Sequence, residues 1–419
     1  MQRKALPFPI GRLELTFLMA SLMALNALAI DIMLPGLGFM SDDFALPSVN
    51  DRQWVITSYI YGMAIGSIVH GSLADRFGRK PVLLVCTVIY VAFAILCAFA
   101  WDYELLLIGR FIQGLAASAM GVLVNSIIRD RYEGDEMARS MSTIMMVFMI
   151  VPITAPLLGQ LVLLVAPWKG IFVVLAAAGL AVFLWVLIRL PETLHPEDKT
   201  PIHPRSIGSA WYQVIFNRNS FGHVLASGLM MAPLFAYIAS AQQIFFDIFG
   251  AGDIFVFVFA LNAAAMSVGN FANSRIVVRF GARRVSQSAL IVFILVSIIH
   301  FILAMTGGIN IWTFTALLVP SMAMVGLTGA NFSSIAMQPF GKIAGVASSF
   351  QNFARSSLSA AIGAAIGLQF DGTVLPIATG FLVCGIASLA VIFWAEEGRL
   401  FRRVQIGVTR DSLAKIDTI

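Results

Sequence analysis

The chain of 419 residues is 59% apolar and 12% charged, with a formal charge of +5. Soluble domains carry about 25% charged residues, so a water-soluble enzyme is excluded and an integral membrane protein is expected. The basic residues lie in short segments between apolar runs rather than on one soluble face, which assigns the positive charge to membrane topology and not to a nucleic acid.

Met1 to Arg12 is basic, and the apolar stretch behind it is too long for a signal core, so it is read as a retained first span. Spans need about 20 apolar residues. They are read at roughly 13–40, 52–73, 81–100, 103–128, 140–166 and 169–190, and again at roughly 220–246, 254–277, 285–306, 311–337, 343–369 and 374–395. This predicts an all-α chain of twelve transmembrane helices: a six-helix bundle over 1–190, a proline-dotted linker over 191–219, a second bundle over 220–396 and a tail over 397–419. The tail, with Arg399, Arg402, Arg403, Arg410 and Lys415, is either an amphipathic stretch on anionic lipid or solvated.

Of the 27 Lys and Arg, Arg52 and Lys169 fall in loops on one side and Arg110 and Arg355 within helices; the rest fall on the other side. The positive-inside rule then makes both termini cytoplasmic. The opposite face is short and acidic, with Asp42, Asp43, Asp51, Asp102, Asp247, Asp253 and Asp371.

Within the first span lies Asp31. After the second comes Gly71-Ser72-Leu73-Ala74-Asp75-Arg76-Phe77-Gly78-Arg79-Lys80, too charged for hydrocarbon and therefore expected as a tight surface loop. Asp75 can face Arg76 and Arg79, Gly71 and Gly78 allow tight turns, and such a cluster can latch the helix ends in one state and release them in another. This decapeptide resembles the loop signature of the major facilitator superfamily. Arg279-Phe280-Gly281 repeats Arg76-Phe77-Gly78 about 200 residues later, close to half the chain, as expected of a duplicated bundle. Val278 stands where the first copy has Asp75, so the second latch is expected to be weaker.

Arg110 lies about eight residues past Asp102, roughly 12 Å deep, and Asp31 about nine residues before Met40, roughly 13 Å deep. A buried unpaired arginine costs about 3 to 17 kcal/mol, so the matching depths predict that the two pair. Arg110-x-x-Gln113-Gly114 resembles a motif of proton-coupled members, and Asp31-Ile32-Met33-Leu34-Pro35 resembles the Bcr/CflA branch of drug-proton antiporters. On this reading Asp31 takes up proton or substrate in alternation while Arg110 tunes its proton affinity. The bland alternative is a static salt bridge.

In the fifth span Pro152 and Pro156 kink the helix and Gly159 permits close approach of a neighbour. The stretch resembles an antiporter signature, with Ala155 and Gln160 where that signature has glycines. Leu190-Pro191-Glu192-Thr193-Leu194 ends the sixth span. Arg355 sits near the midplane of the eleventh: it either offers positive charge to an anionic substrate or caps polar groups nearby. The helices that line facilitator cavities add Tyr59, Tyr237, Gln242, Asn331 and Gln351 as possible contacts. His70, beside the loop, is read as a surface group.

Cys86, Cys97 and Cys384 lie in apolar runs and read as core residues rather than a disulfide or metal framework. No nucleophile elbow, metal-binding helix or phosphate loop appears, so neither enzyme activity nor a cofactor is expected. The resemblance implies a monomer in a bacterial inner membrane that exports small lipophilic or amphiphilic compounds against inward proton flow by alternating access. The alternatives are a proton symporter for a small organic anion and a non-transporting receptor or scaffold.

Overall fold

A computed structural model describes residues 10–132, 134–199 and 204–402. The predicted tail from 403 onward and Pro201 of the linker lie outside the described residues. The first half contains α1 (Arg12–Asp31), α2 (Leu37–Asp43), α3 (Trp54–Phe77), α4 (Arg79–Ala98), α5 (Tyr103–Arg131), α6 (Gly134–Phe148), α7 (Ile150–Val165) and α8 (Lys169–Arg189). After α9 (Pro204–Phe216) come α10 (Arg218–Gln242), α11 (Phe255–Phe280), α12 (Ala282–Met305), α13 (Ile311–Met337), α14 (Ala344–Gly367) and α15 (Leu375–Ala395).

Among the described residues, ten segments are long and apolar enough to cross a membrane. α3 and α14, of 24 residues each, are more polar but equally long, and they pack against each other where the halves meet. Together these make the twelve crossings of two six-helix bundles. Large apolar side chains such as Val85, Ile95, Leu164, Leu295 and Ile302 remain exposed, as a lipid-facing surface requires.

Local chemistry sets the ends. The Asp102 carboxylate accepts from the Leu105 amide at 2.6 Å to cap α5, and Asn310 with Thr313 forms a reciprocal capping box on α13. Gly78 and Gly281, at φ +107° and +85°, each end one span and start the next, a conformation that side chains with a Cβ disfavour. Within each half two helices meet backbone to backbone. A Cβ on Gly62 would lie 1.9 Å from the Phe111 carbonyl and one on Gly114 2.0 Å from the Tyr59 carbonyl, locking α3 to α5. Gly269 and Gly326 join α11 to α13 in the same way, with 2.2 Å to the Ala323 carbonyl and 2.4 Å to the Met266 carbonyl.

One expectation about these elements needs correction, and three other segments show detail within the expected bounds. The decapeptide is mostly helix: Gly71, Asp75 and Arg76 belong to the last turns of α3, and only Gly78 turns the chain. Helix persists because the polar side chains there find partners while the backbone stays internally bonded. The first span, read at 13–40, is broken within: α1 stops at Asp31, a 3-10 turn covers Leu34–Gly36, and α2 carries on to Asp43. Pro35 has no N–H to return to the Asp31 carbonyl, which opens the helix there. The fifth span divides at Met149, just before Pro152. The linker contains the 13-residue α9, which packs on α10 and α14.

Candidate functional site

Asp31 stands at the break between α1 and α2, with 5% of its surface exposed. It lines a cavity of about 250 Å³ together with Asn26, Met63 and Pro152 of the first half and Tyr237, Phe259 and Asn262 of the second. The walls are nearly all apolar, and both halves contribute. Tyr237 stacks on Phe259 with centroids 5.8 Å apart, and its hydroxyl accepts from Asn262 Nδ2 at 3.5 Å. Among the described residues no hydrogen bond or ion pair engages the Asp31 carboxylate, so a charge carrier sits unpartnered in an apolar hollow. That is the setting in which a carboxylate binds a proton or a polar ligand rather than holding a helix in place.

The expected Asp31–Arg110 pair is absent. Arg110 is fully enclosed, and its three nitrogens are each satisfied elsewhere. Nε donates to the Val55 carbonyl at 3.0 Å, Nη1 to Gln113 Oε1 at 2.8 Å, and Nη2 to the Ala29 carbonyl at 2.9 Å. The Tyr59 ring lies 4.3 Å from the guanidinium carbon. Equal depth along two helices did not bring the side chains together: Arg110 reaches α1 only at the Ala29 carbonyl, while Asp31, two residues on, lines the cavity. Arg110 therefore clamps α1, α3 and α5, and Gln113, one helical turn on, orients the fork. Tyr59, itself buried, donates to Asn26 Oδ1 at 3.3 Å and so links this clamp to the cavity wall.

Of the six residues expected in a cavity, Tyr237 lines the one beside Asp31. Tyr59 stands behind its wall. Gln242 sits against Gly38 of α2, and Asn331 ties α13 to α11 through Asn273 Oδ1 at 2.6 Å. Gln351 donates to Ser333 Oγ at 2.5 Å. Arg355 lies on α14, half-buried. Pro152 does line the cavity, Pro156 lies within α7, and Gly159 packs against the α1 break, where a Cβ would come 2.2 Å from the Ile32 carbonyl. Asn26 and Asn262, polar positions within spans that could serve as lining or as interhelical glue, line the cavity, and Met63, which was not expected, does too: the face they present is not visible in sequence.

The charge cluster is built around Arg79, which is 3% exposed. It donates to Asp75 at 2.5 Å and to Asp130 at 3.0 Å, while Arg76 lies over the Phe77 ring. Glu192 completes it by accepting from the backbone amides of Arg79 and Lys80 at 2.9 and 3.2 Å. Glu396 repeats this after the last span of the second half, accepting from Arg283 Nε at 2.6 Å and from Asn219 Nδ2 at 3.1 Å. Glu192 falls in the Leu190-Pro191-Glu192-Thr193-Leu194 stretch, but its partners, and Glu396 as its counterpart, are not visible in the sequence. Gly71 lies close to Ser349 of α14, where a Cβ would come 3.4 Å from its hydroxyl. His70 is buried, with Nδ1 2.7 Å from Ser118 Oγ, and is not the surface group expected.

On the acidic face the halves are tied directly. Arg52 pairs with Asp247, and Gln53 Nε2 donates to Gln243 Oε1 at 2.6 Å and to the Gly367 carbonyl at 2.9 Å. Asn50 Nδ2 donates to the Leu368 and Phe370 carbonyls at 2.9 and 3.0 Å. The ion pairs described on the basic face instead join segments of one half, such as Arg189 to Glu14 and Arg283 to Glu396.

A family model, the Major Facilitator Superfamily, matches residues 19–364. The chain is 28% identical over 393 residues to the uncharacterized MFS-type transporter YdgK of Bacillus subtilis, covering 92% of this chain and 96% of that one. It is 26% identical over 375 residues to a bicyclomycin resistance protein homolog of Haemophilus influenzae, covering 89% and 94%. It is 28% identical over 386 residues to the multidrug resistance protein MdtL of Escherichia coli, covering 90% and 95%. Among solved structures, a D-xylose-proton symporter superposes with a TM-score of 0.73 at 13% identity, covering 93% and 98%, a likeness of fold.

Proposed function

Since the chain belongs to the major facilitator superfamily, we propose that it exports small lipophilic or amphiphilic compounds, drugs among them, in exchange for protons. The relatives named for bicyclomycin and multidrug resistance support the direction and the substrate class. The observation that carries the reading is the unpartnered Asp31 carboxylate in an apolar cavity whose walls come from both halves. A proton entering from outside takes the Asp31 carboxylate that a hydrogen-bond donor of the cargo otherwise occupies, and so releases cargo; loss of that proton inward frees the carboxylate for the next molecule. The bundles 1–190 and 220–396 rock about this cavity, driven by the proton gradient without a cofactor. The basic face, with both termini, is cytoplasmic, and the protein works as a monomer in a bacterial inner membrane. Tied together on its acidic face, the described conformation is then closed to the outside. Arg79, Asp75 and Asp130 act as the gate of the opposite face.

The test is bicyclomycin and dye efflux from cells expressing the protein, with and without an uncoupler, followed by flux in vesicles under an imposed pH gradient. Asp31→Asn is expected to abolish gradient-driven efflux. Full coupled efflux by that variant overturns the carrier role, and uptake under the same gradient replaces antiport with symport.

A further inference from the structure

Arg355 stands midway along α14, between Ala344 and Gly367. Among the described residues its guanidinium makes one hydrogen bond, from Nη2 to Asn352 Oδ1 at 3.4 Å on its own helix. Among the described residues no carboxylate forms an ion pair with it, and its side chain is half-buried rather than sealed. α14 packs on α3 of the first half and on α10 and α13 of the second, so it borders the seam between the bundles. A guanidinium carries five donors in a fork that matches carboxylate, sulfonate or phosphonate oxygens. Holding it unsatisfied at mid-membrane is expensive.

The two intramembrane arginines therefore differ in kind. Arg110 has spent a donor from each of its three nitrogens on three helices and is fully enclosed, so it offers nothing to a ligand. Arg355 has nearly all of its donors free, with the amides of Gln351 and Asn352 one turn away and Ser333 Oγ beside Gln351. Asp31 across the seam does not neutralise it, since no ion pair links them. We propose that Arg355 is the binding group for an anionic oxygen cluster on the transported compound, so that the preferred cargo is an amphiphile with an apolar body, a hydrogen-bond donor for Asp31 and one anionic end for Arg355. This rests on the transport reading above and adds a substrate class to it.

The experiment is equilibrium binding to the full-length protein in lipid nanodiscs, with empty nanodiscs subtracted, using two probes that differ only by the anion. These are 1-anilinonaphthalene-8-sulfonate and N-phenyl-1-naphthylamine. The wild type is expected to bind the sulfonate about tenfold more tightly or better, as one charge-assisted contact implies. Arg355→Gln should lose that preference while keeping its affinity for the neutral amine; Arg355→Lys should retain part of it. Equal affinities in the wild type, or a preference that survives in Arg355→Gln, overturn the proposal. Should Arg355→Gln bind neither probe, the lysine variant decides: preference kept supports the assignment, preference lost defeats it. No gradient is involved and Asp31 is intact, so failure here is distinct from failure of proton coupling.

Discussion

Replacing Arg110 by lysine keeps the charge and removes the fork. In the native clamp three nitrogens reach three acceptors: the Val55 carbonyl on α3, the Ala29 carbonyl on α1 and Gln113 on α5 itself. One ammonium nitrogen cannot reach acceptors on opposite edges of the guanidinium plane, so two of the three contacts are lost. At about 1.5–3 kcal/mol for each hydrogen bond to a charged group, Arg110→Lys should cost about 3–6 kcal/mol. Reversible unfolding of the purified protein in mixed micelles measures this. The same measurement on Asp31→Asn and on the double variant completes a cycle. Because no contact joins the two side chains, the coupling energy should stay below about 0.5 kcal/mol, the additivity found for sites without shared partners. Were lysine to substitute without loss, or the cycle to show strong coupling, charge at Arg110 rather than its geometry would be what matters, and the clamp argued here would be wrong.

Two further outcomes follow from the packing. Gly114→Ala places a Cβ 2.0 Å from the Tyr59 carbonyl, which forces α3 away from α5 and should cost about 1–3 kcal/mol, whereas Gly329→Ala in α13, with open space around it, should cost nothing measurable; equal unfolding midpoints for the two would refute the tight crossing. Arg52→Ala removes the ion pair that joins the halves on the acidic face. In an Asn262→Cys background it should raise labelling of the cavity by a membrane-impermeant thiol reagent several-fold from that face. The native Cys86, Cys97 and Cys384 are buried and contribute little background. An unchanged rate would remove Arg52 from the latch.

Much of the architecture was legible before any coordinates. Apolar runs of span length, a charged interruption and its copy half a chain later specify twelve crossings in two related halves, because in lipid the backbone has few alternatives to helix. Residue types in the spans marked Asp31, Arg110 and Arg355 as costly and therefore purposeful. Depth along a helix is a one-dimensional quantity, however, and it misled in pairing Asp31 with Arg110. Which way a side chain points depends on where neighbouring helices cross, and here Arg110 meets the Val55 and Ala29 carbonyls while Asp31 lines the cavity. The contribution of Tyr237 and Asn262 from the other half and the carboxylates of Glu192 and Glu396 that return to earlier turns are contacts between segments remote in sequence. The sequence by itself determined which charges the membrane must accommodate and roughly how deep they lie. Only the tertiary structure decided which of them are satisfied, since hydrogen bonding is a matter of direction and distance between helices that the order of residues does not encode.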